Sequence, residues 1–208
     1  MEQIKELAKK AVEVVEKLQE ALEKIGGNTE RVMLEELAAG DEFVTDIGTF
    51  IVLEQTEEGT KVITKELFKK NVKFGDSANY KGSDLFKLCD GDIYSEFCDV
   101  FGEDNIITHT VDLTTVDMQK PYGTVECDVR VLTFDEARKY NDILVNKELP
   151  DWWWTCTPWS TEERGWKYSV AVVSPSGDFN DNCCGNDFGV RPFCILKSDI
   201  FVSLAKED

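Results

Sequence analysis

The sequence predicts a mixed α+β domain preceded by one long amphipathic helix, and three observations carry that reading. Apolar residues recur at alternating three- and four-residue spacing from Ile4 to Ile25 and stop at Gly26-Gly27. From Asn28 onward, short β-branched and aromatic runs alternate with turns rich in Gly, Asn, Asp and Pro. Helical spacing returns only in short stretches, with no β-α-β rhythm and no internal repeat.

The first element is a helix over residues 2–25. Ile4, Leu7, Ala11, Val14, Leu18, Ala21 and Ile25 form an a/d seam, and Ala8, Val15 and Leu22 add a third column beside it. Glu6–Lys10, Glu13–Lys17 and Glu20–Lys24 are i,i+4 pairs in the favourable orientation on the outer face. Gly26-Gly27 supplies a stop and a hinge. Such a helix is about 36 Å long, more than a cap on its own domain needs. It either folds back on the globular part or self-associates. The three-column stripe favours a homo-oligomer, a trimer first, through residues 4–25. The division is therefore an oligomerisation helix, 1–27, and a globular domain, 28–208.

Within the domain, Phe50–Leu53 and Lys61–Thr64 flank Glu57-Glu-Gly59 as a hairpin. Ser83 is a candidate N-cap for a helix carrying Leu85, Phe86 and Leu88, with Ile93, Phe97 and Phe101 continuing after Gly91. Val129–Thr133 reads as a strand, and Asp135 as the cap of a helix over Glu136–Leu144. Trp152–Thr155, Tyr168–Ser174 and Val190–Leu196 read as strands, with a turn at Ser174-Pro-Ser-Gly177.

Composition excludes several classes of function. The 41 Asp+Glu against 23 Lys+Arg leave a net charge of −18, a field that repels phosphate backbones and argues against nucleic-acid binding. No apolar run reaches the roughly 18–20 residues of a spanning helix, so no membrane insertion is expected. The N-terminus is amphipathic and acidic, unlike a secretory signal, and no N-x-S/T acceptor occurs. The seven cysteines are odd in number and never spaced C-x-x-C. A chain made in the cytoplasm without a signal peptide, with free thiols, is the expectation.

Motifs for catalysis and metals are equally thin. Phosphate-loop, dinucleotide and nucleophile-elbow patterns are absent. The single histidine, His109, lies in a strand-like alternation, Ile107-Thr-His-Thr-Val111, where a structural imidazole is expected. Asp178-Phe-Asn180-Asp181-Asn182 starts like a calcium loop, but Cys183 stands where that loop needs glycine and Gly189 where it needs glutamate. No metal, no cofactor and no catalytic residues are therefore expected.

All five tryptophans, Trp152, Trp153, Trp154, Trp159 and Trp166, fall within residues 152–166. Period two sends Trp152 and Trp154 to one face of a strand and Trp153 to the other, the pattern of a strand buried on both sides. Trp152 and Trp154 are assigned to scaffold, as are Gly189, Val190, Arg191, Pro192 and Phe193 of the closing strand and the motif described below. Between these anchors runs an aperiodic polar segment, about 155–187, with paratope-like composition. A polar stretch held between rigid apolar strands is a candidate display surface. Its candidate ligand contacts are Cys156, Trp159, Glu162, Arg164, Trp166, Lys167, Asn180, Asn182, Cys183 and Asn186.

Asp151-Trp-Trp-Trp-Thr-Cys-Thr-Pro158, Val170-Ala-Val-Val-Ser-Pro-Ser-Gly177 and Gly189-Val-Arg-Pro-Phe193 together resemble a domain common in gut Firmicutes and their phages. Its pattern runs W-W-W-L-R-[ST]-P, then V-x-x-x-G, then G-V-R-P. Phe74–Tyr80 and Phe134–Tyr140 resemble upstream stretches of that domain, so the likeness spans about residues 38–200 and omits the helix. That domain is similar to the C-type lectin-like fold in its formylglycine-generating-enzyme form. The resemblance implies a scaffold shared with retroelement-diversified variable proteins, phage receptor-binding tips among them. Their variable residues precede a fixed closing strand, which here matches Thr155–Asp187; Thr155-Cys156 replaces the usual Leu-Arg, as variation there allows. The E-P-N and Q-P-D sugar motifs and the copper-binding cysteines are missing, so enzyme activity is not carried over. The expectation is a non-enzymatic, virion-surface binding protein whose partner is a protein or glycan on a cell surface. The alternatives are an intracellular bacterial binding protein of the same fold with a fixed partner and, third, an oxidase-like enzyme.

Overall fold

The computed structural model describes residues 30–204, so the helix of residues 2–25 and the oligomer assigned to it lie outside the described residues. In chain order the elements are β1 (Arg31–Met33), β2 (Glu42–Thr45), β3 (Gly48–Gln55), β4 (Thr60–Thr64), β5 (Lys69–Lys73), α1 (Asp84–Leu88) and α2 (Tyr94–Phe101). There follow β6 (His109–Asp112), β7 (Thr124–Cys127), β8 (Val129–Arg130), α3 (Phe134–Lys139), α4 (Asn141–Leu144) and β9 (Trp153–Pro158). The chain closes with β10 (Ser169–Val173), β11 (Phe179–Cys183), β12 (Asp187–Val190), β13 (Phe193–Leu196) and β14 (Phe201–Leu204). The class is mixed α+β, mostly sheet. Among the described residues, no helix is long and apolar enough to cross a membrane.

A seven-stranded antiparallel sheet runs β1-β14-β2-β3-β4-β13-β8. Its central strands alternate strictly and both faces are buried. Phe50, Val52 and Val62 enter a large core with Phe97 and Phe101 of α2, and Ile51, Leu53 and Ile63 enter a smaller core with Ala137, Tyr140 and Leu144. A five-stranded sheet runs β11-β10-β9-β12-β5, and β6 pairs with β7 alone. Trp154 faces the large core and Trp153 the small one, whereas Trp152 precedes β9 and is half-buried.

Several sequence expectations change for identifiable reasons. Ser83 does cap its helix, its Oγ accepting from the Phe86 N–H at 3.0 Å; a π-helical turn at Cys89–Ile93 then joins α1 to α2. The next helix starts at Phe134, not Glu136. Thr133 Oγ1 accepts from the Glu136 N–H (3.1 Å) while Glu136 accepts from the Thr133 N–H (2.8 Å), a capping box that displaces Asp135 as cap. The strand expected at Val129–Thr133 is only β8, which pairs with Phe193 and Cys194 and ends where its partner reaches Pro192. The expected strand Val190–Leu196 is two strands in two sheets, β12 and β13, because Pro192 has no N–H to donate and the chain changes sheets at Arg191-Pro192. Gly189, beside the break, sits so close to Leu67 that a Cβ would lie 2.6 Å from its methyl carbons.

Trp154 ties the five-stranded sheet together. Its Nε1 donates to the Val72 carbonyl of β5 at 2.7 Å, and its ring meets Phe74 and Phe188 edge-on at 5.5 and 4.9 Å. Trp154→Ala is expected to lower stability by about 3–5 kcal/mol, read as a lower urea midpoint.

Candidate functional site

The connection between β9 and β10 is irregular but held at both ends by buried strands. Thr161 starts a single 3-10 turn, Glu162–Arg164, which Gly165 ends in the left-handed region at φ 86. The Trp166 N–H returns to the Thr161 carbonyl at 3.0 Å, closing the loop. This geometry turns Glu162, Arg164 and Trp166 outward; Trp166 is 41% and its neighbour Tyr168 52% exposed.

Opposite stands the loop between β6 and β7. Asp117 accepts from Thr115 Oγ1 (2.5 Å), Ser160 Oγ (2.7 Å) and Arg164 Nη1 (2.6 Å), so it locks the two loops together. Those hydrogen bonds, Thr115 first, pull its carboxyl below the ordinary aspartate range. Beyond the lock, Gln119, Lys120, Pro121 and Tyr122 face Thr161–Arg164 across a cleft of about 530 Å³. Lys167 and Glu162 close a salt bridge at 2.9 Å at its edge. Met118, at the tip of the loop, adopts φ 67 and is 68% exposed.

A second cleft, about 640 Å³, lies on the other side of the same loop, between Thr110–Val116 and α3. On its wall, Arg130 gives Glu136 two bonds of 2.7 Å, donates from Nε to His109 Nε2 at 2.8 Å, and stacks its guanidinium 4.3 Å from the Phe193 ring centroid. A guanidinium so fully engaged is structural. His109 is thus a packed imidazole on β6.

The expected contacts fall into three groups. Glu162, Arg164, Trp166 and the half-buried Trp159 and Lys167 share the β9–β10 connection. Asn180, Asn182, Cys183 and Asn186 lie on β11 and the turn after it. The two groups meet where the Cys184 N–H donates to the Tyr168 carbonyl at 2.7 Å. Cys156 is the correction: it is fully buried in the large core and cannot contact a ligand. All six residues of β9 are buried, since β10 and β12 flank it, and burial pushes the Cys156 thiol far above its usual range. The exposed surface therefore starts after Pro158, and within 155–187 the strand β10 belongs to the core. Gly189, Val190, Arg191, Pro192 and Phe193 are all buried.

Sequence reading missed the loop around Asp117-Met-Gln-Lys-Pro121 and the exposed Tyr168. The only signal for the loop was a polar turn stretch ending in proline. All seven cysteines are unpaired, and Cys183 is the exposed one. Among the described residues, no three His, Cys, Asp or Glu side chains are grouped to hold a metal ion.

Comparison with known proteins adds one likeness. Residues 116–198 match a family model described as a domain of unknown function, DUF6273. The matched stretch takes in most of the β6–β7 loop, the β9–β10 connection and β11, that is, both walls of the smaller cleft. No curated protein and no solved structure matches the chain.

Proposed function

We propose that the chain is a non-enzymatic ligand-binding protein that presents an irregular surface on a C-type lectin-like scaffold. The observation that carries this reading is the β9–β10 connection. Exposed Glu162, Arg164, Trp166 and Tyr168 project from a loop pinned between buried strands and bordering a cleft of about 530 Å³. Aromatic and arginine side chains are the commonest anchors of interfaces, the aromatic ones because they bring contact area with little conformational entropy to lose and the arginine through its planar fork of donors. In this reading the partner is a protein or glycan on a cell surface, and the setting is a phage or prophage particle, with residues 159–168 as the diversified segment. Self-association through residues 4–25 would multiply weak contacts by raising effective concentration.

The test uses the labelled full chain and intact cells of a panel of gut Firmicutes. Binding to some strains is expected, and the Trp166→Ala/Tyr168→Ala double variant should lose it by about 30-fold or more. The same variant should unfold within about 1 kcal/mol of the parent chain, as exposed positions do. Absence of binding across the panel, or unchanged binding by the double variant, overturns the reading.

A further inference from the structure

Strand β11 lies at an open edge of the five-stranded sheet, with β10 as its partner among the described residues. In an antiparallel pair, successive residues turn their backbone groups alternately toward the partner and away from it. The Ser174 N–H bond to the Asp178 carbonyl (2.9 Å) and the Cys184 N–H bond to Tyr168 (2.7 Å) turn the even-numbered residues inward. Phe179, Asp181 and Cys183 therefore face outward, and an outward row of N–H and C=O groups is a template for a further strand.

Half of that row is already engaged locally, including the N–H groups of Asp181 and Cys183. The Asp181 N–H donates to Asn180 Oδ1 and the Cys183 N–H to Asn182 Oδ1, both at 2.9 Å. The Asn186 N–H donates to the Cys183 carbonyl at 2.9 Å, and Asn186 Nδ2 donates to Asn182 Oδ1 at 2.6 Å, which holds that cap in place. We propose that Asn180, Asn182 and Asn186 close the edge of β11 against strand addition, so that another molecule meets side chains here and not open backbone. Short amide side chains suit the task because they reach a neighbouring backbone N–H, where a β-branched apolar residue offers no acceptor.

The opposite edge of the same sheet is closed by different means. Strand β5 carries Lys69, Lys70 and Lys73, and Asn71 at φ 56 accompanies a register shift against β12. Pairing a second strand there would desolvate three ammonium groups on an irregular edge. The assignment is independent of the binding reading above. Under it, Asn180 and Asn182 are engaged by the chain's own backbone and Asn186 is held on Asn182, and any self-association of the chain does not run through these two edges.

Two measurements on the full chain test it. In Asn182→Ala, the Cys183 amide should exchange its hydrogen about fivefold faster than in the parent, after correction for intrinsic rates, whereas Asn182→Asp, which keeps the acceptor, should leave it unchanged. By analytical ultracentrifugation, Asn180→Val/Asn182→Val should sediment as a heavier species than the parent and Asn180→Asp/Asn182→Asp as the parent does. Equal Cys183 exchange in Asn182→Ala and parent overturns the proposal, and so does a valine double variant that sediments with the parent.

Discussion

Arg191→Ala is expected to cost about 3–5 kcal/mol, a large fraction of the stability of a domain this size. Arg191 is fully buried, directly after β12, where the chain leaves one sheet for the other. Its Nε donates to the Thr64 carbonyl at the end of β4 and its Nη1 to the Leu144 carbonyl at the end of α4, both at 3.0 Å. The guanidinium carbon lies 5.4 Å from the Trp153 ring centroid. No carboxylate pairs with it among the described residues, and Nη2 has no hydrogen-bond partner there. Burial pulls its pKa down to about 10, only partly offset by the charge of Glu66, so the cation persists at neutral pH. One side chain thus joins a strand end, a helix end and the sheet crossover. Alanine removes the joint, leaves two carbonyls without their donor at about 1–3 kcal/mol each, and opens a cavity beside Trp153. Arg191→Lys should recover only part of the loss, since a single ammonium cannot reproduce the planar fork that spans both carbonyls. Urea midpoints of the three chains decide the matter; an alanine variant within about 1 kcal/mol of the parent would sink it.

What the sequence reveals and hides follows from the range of the interactions involved. The Ser83 cap and the hairpin of β3 and β4 are legible because a cap needs three residues and alternation needs five. Strand β11 is hidden: Phe-Asn-Asp-Asn-Cys has no apolar alternation, and pairing with β10 is what makes it a strand. Cys156 is misplaced for the converse reason. Thr155-Cys156-Thr157 looks polar and variable, yet both neighbours of β9 cover it, and Thr155 spends its hydroxyl on the Ala171 carbonyl at 2.7 Å. The β6–β7 loop enters the candidate site only because Asp117 meets Ser160 and Arg164, more than forty residues later in the chain. Pro192 was in plain view, but that it separates two sheets depends on which strands flank it, a property of the whole fold.

Acid is expected to strip stability from this domain in two successive windows, the upper set first by the burial of His109 and then by Arg130, the lower by Arg130 against burial. His109 accepts the Arg130 Nε–H at Nε2 (2.8 Å), so the ring is neutral with its proton on Nδ1, which faces the Ile107 carbonyl at 3.1 Å. Burial first, then the charge of Arg130, push its pKa down from 6.5 to about 4. A folded-state value below the unfolded one means that the unfolded chain takes the proton first. The stability held in this contact is complete above pH 6.5 and is lost as the pH falls to about 4. Burial would raise the Glu136 carboxyl, but the charge and paired hydrogen bonds of Arg130 outweigh it and bring it from 4.5 down to about 2. That contribution is present above pH 4.5 and is lost as the pH approaches 2. At about 1.4 kcal/mol per tenfold change in proton affinity, each window is worth about 3 kcal/mol. Glu54, held at about 2 by Lys139, Tyr140 and Lys61, also titrates in the lower window, so the upper one isolates the imidazole. Urea midpoints measured from pH 7 to 3 should fall steadily. In His109→Gln, whose amide oxygen can still accept from Arg130, the fall between pH 6.5 and 4 should flatten while the lower loss remains. Glu136→Gln strands the buried guanidinium and should cost about 3–5 kcal/mol already at pH 7. A parent chain as stable at pH 4 as at pH 7 would mean that the Arg130–His109 contact stores no such energy.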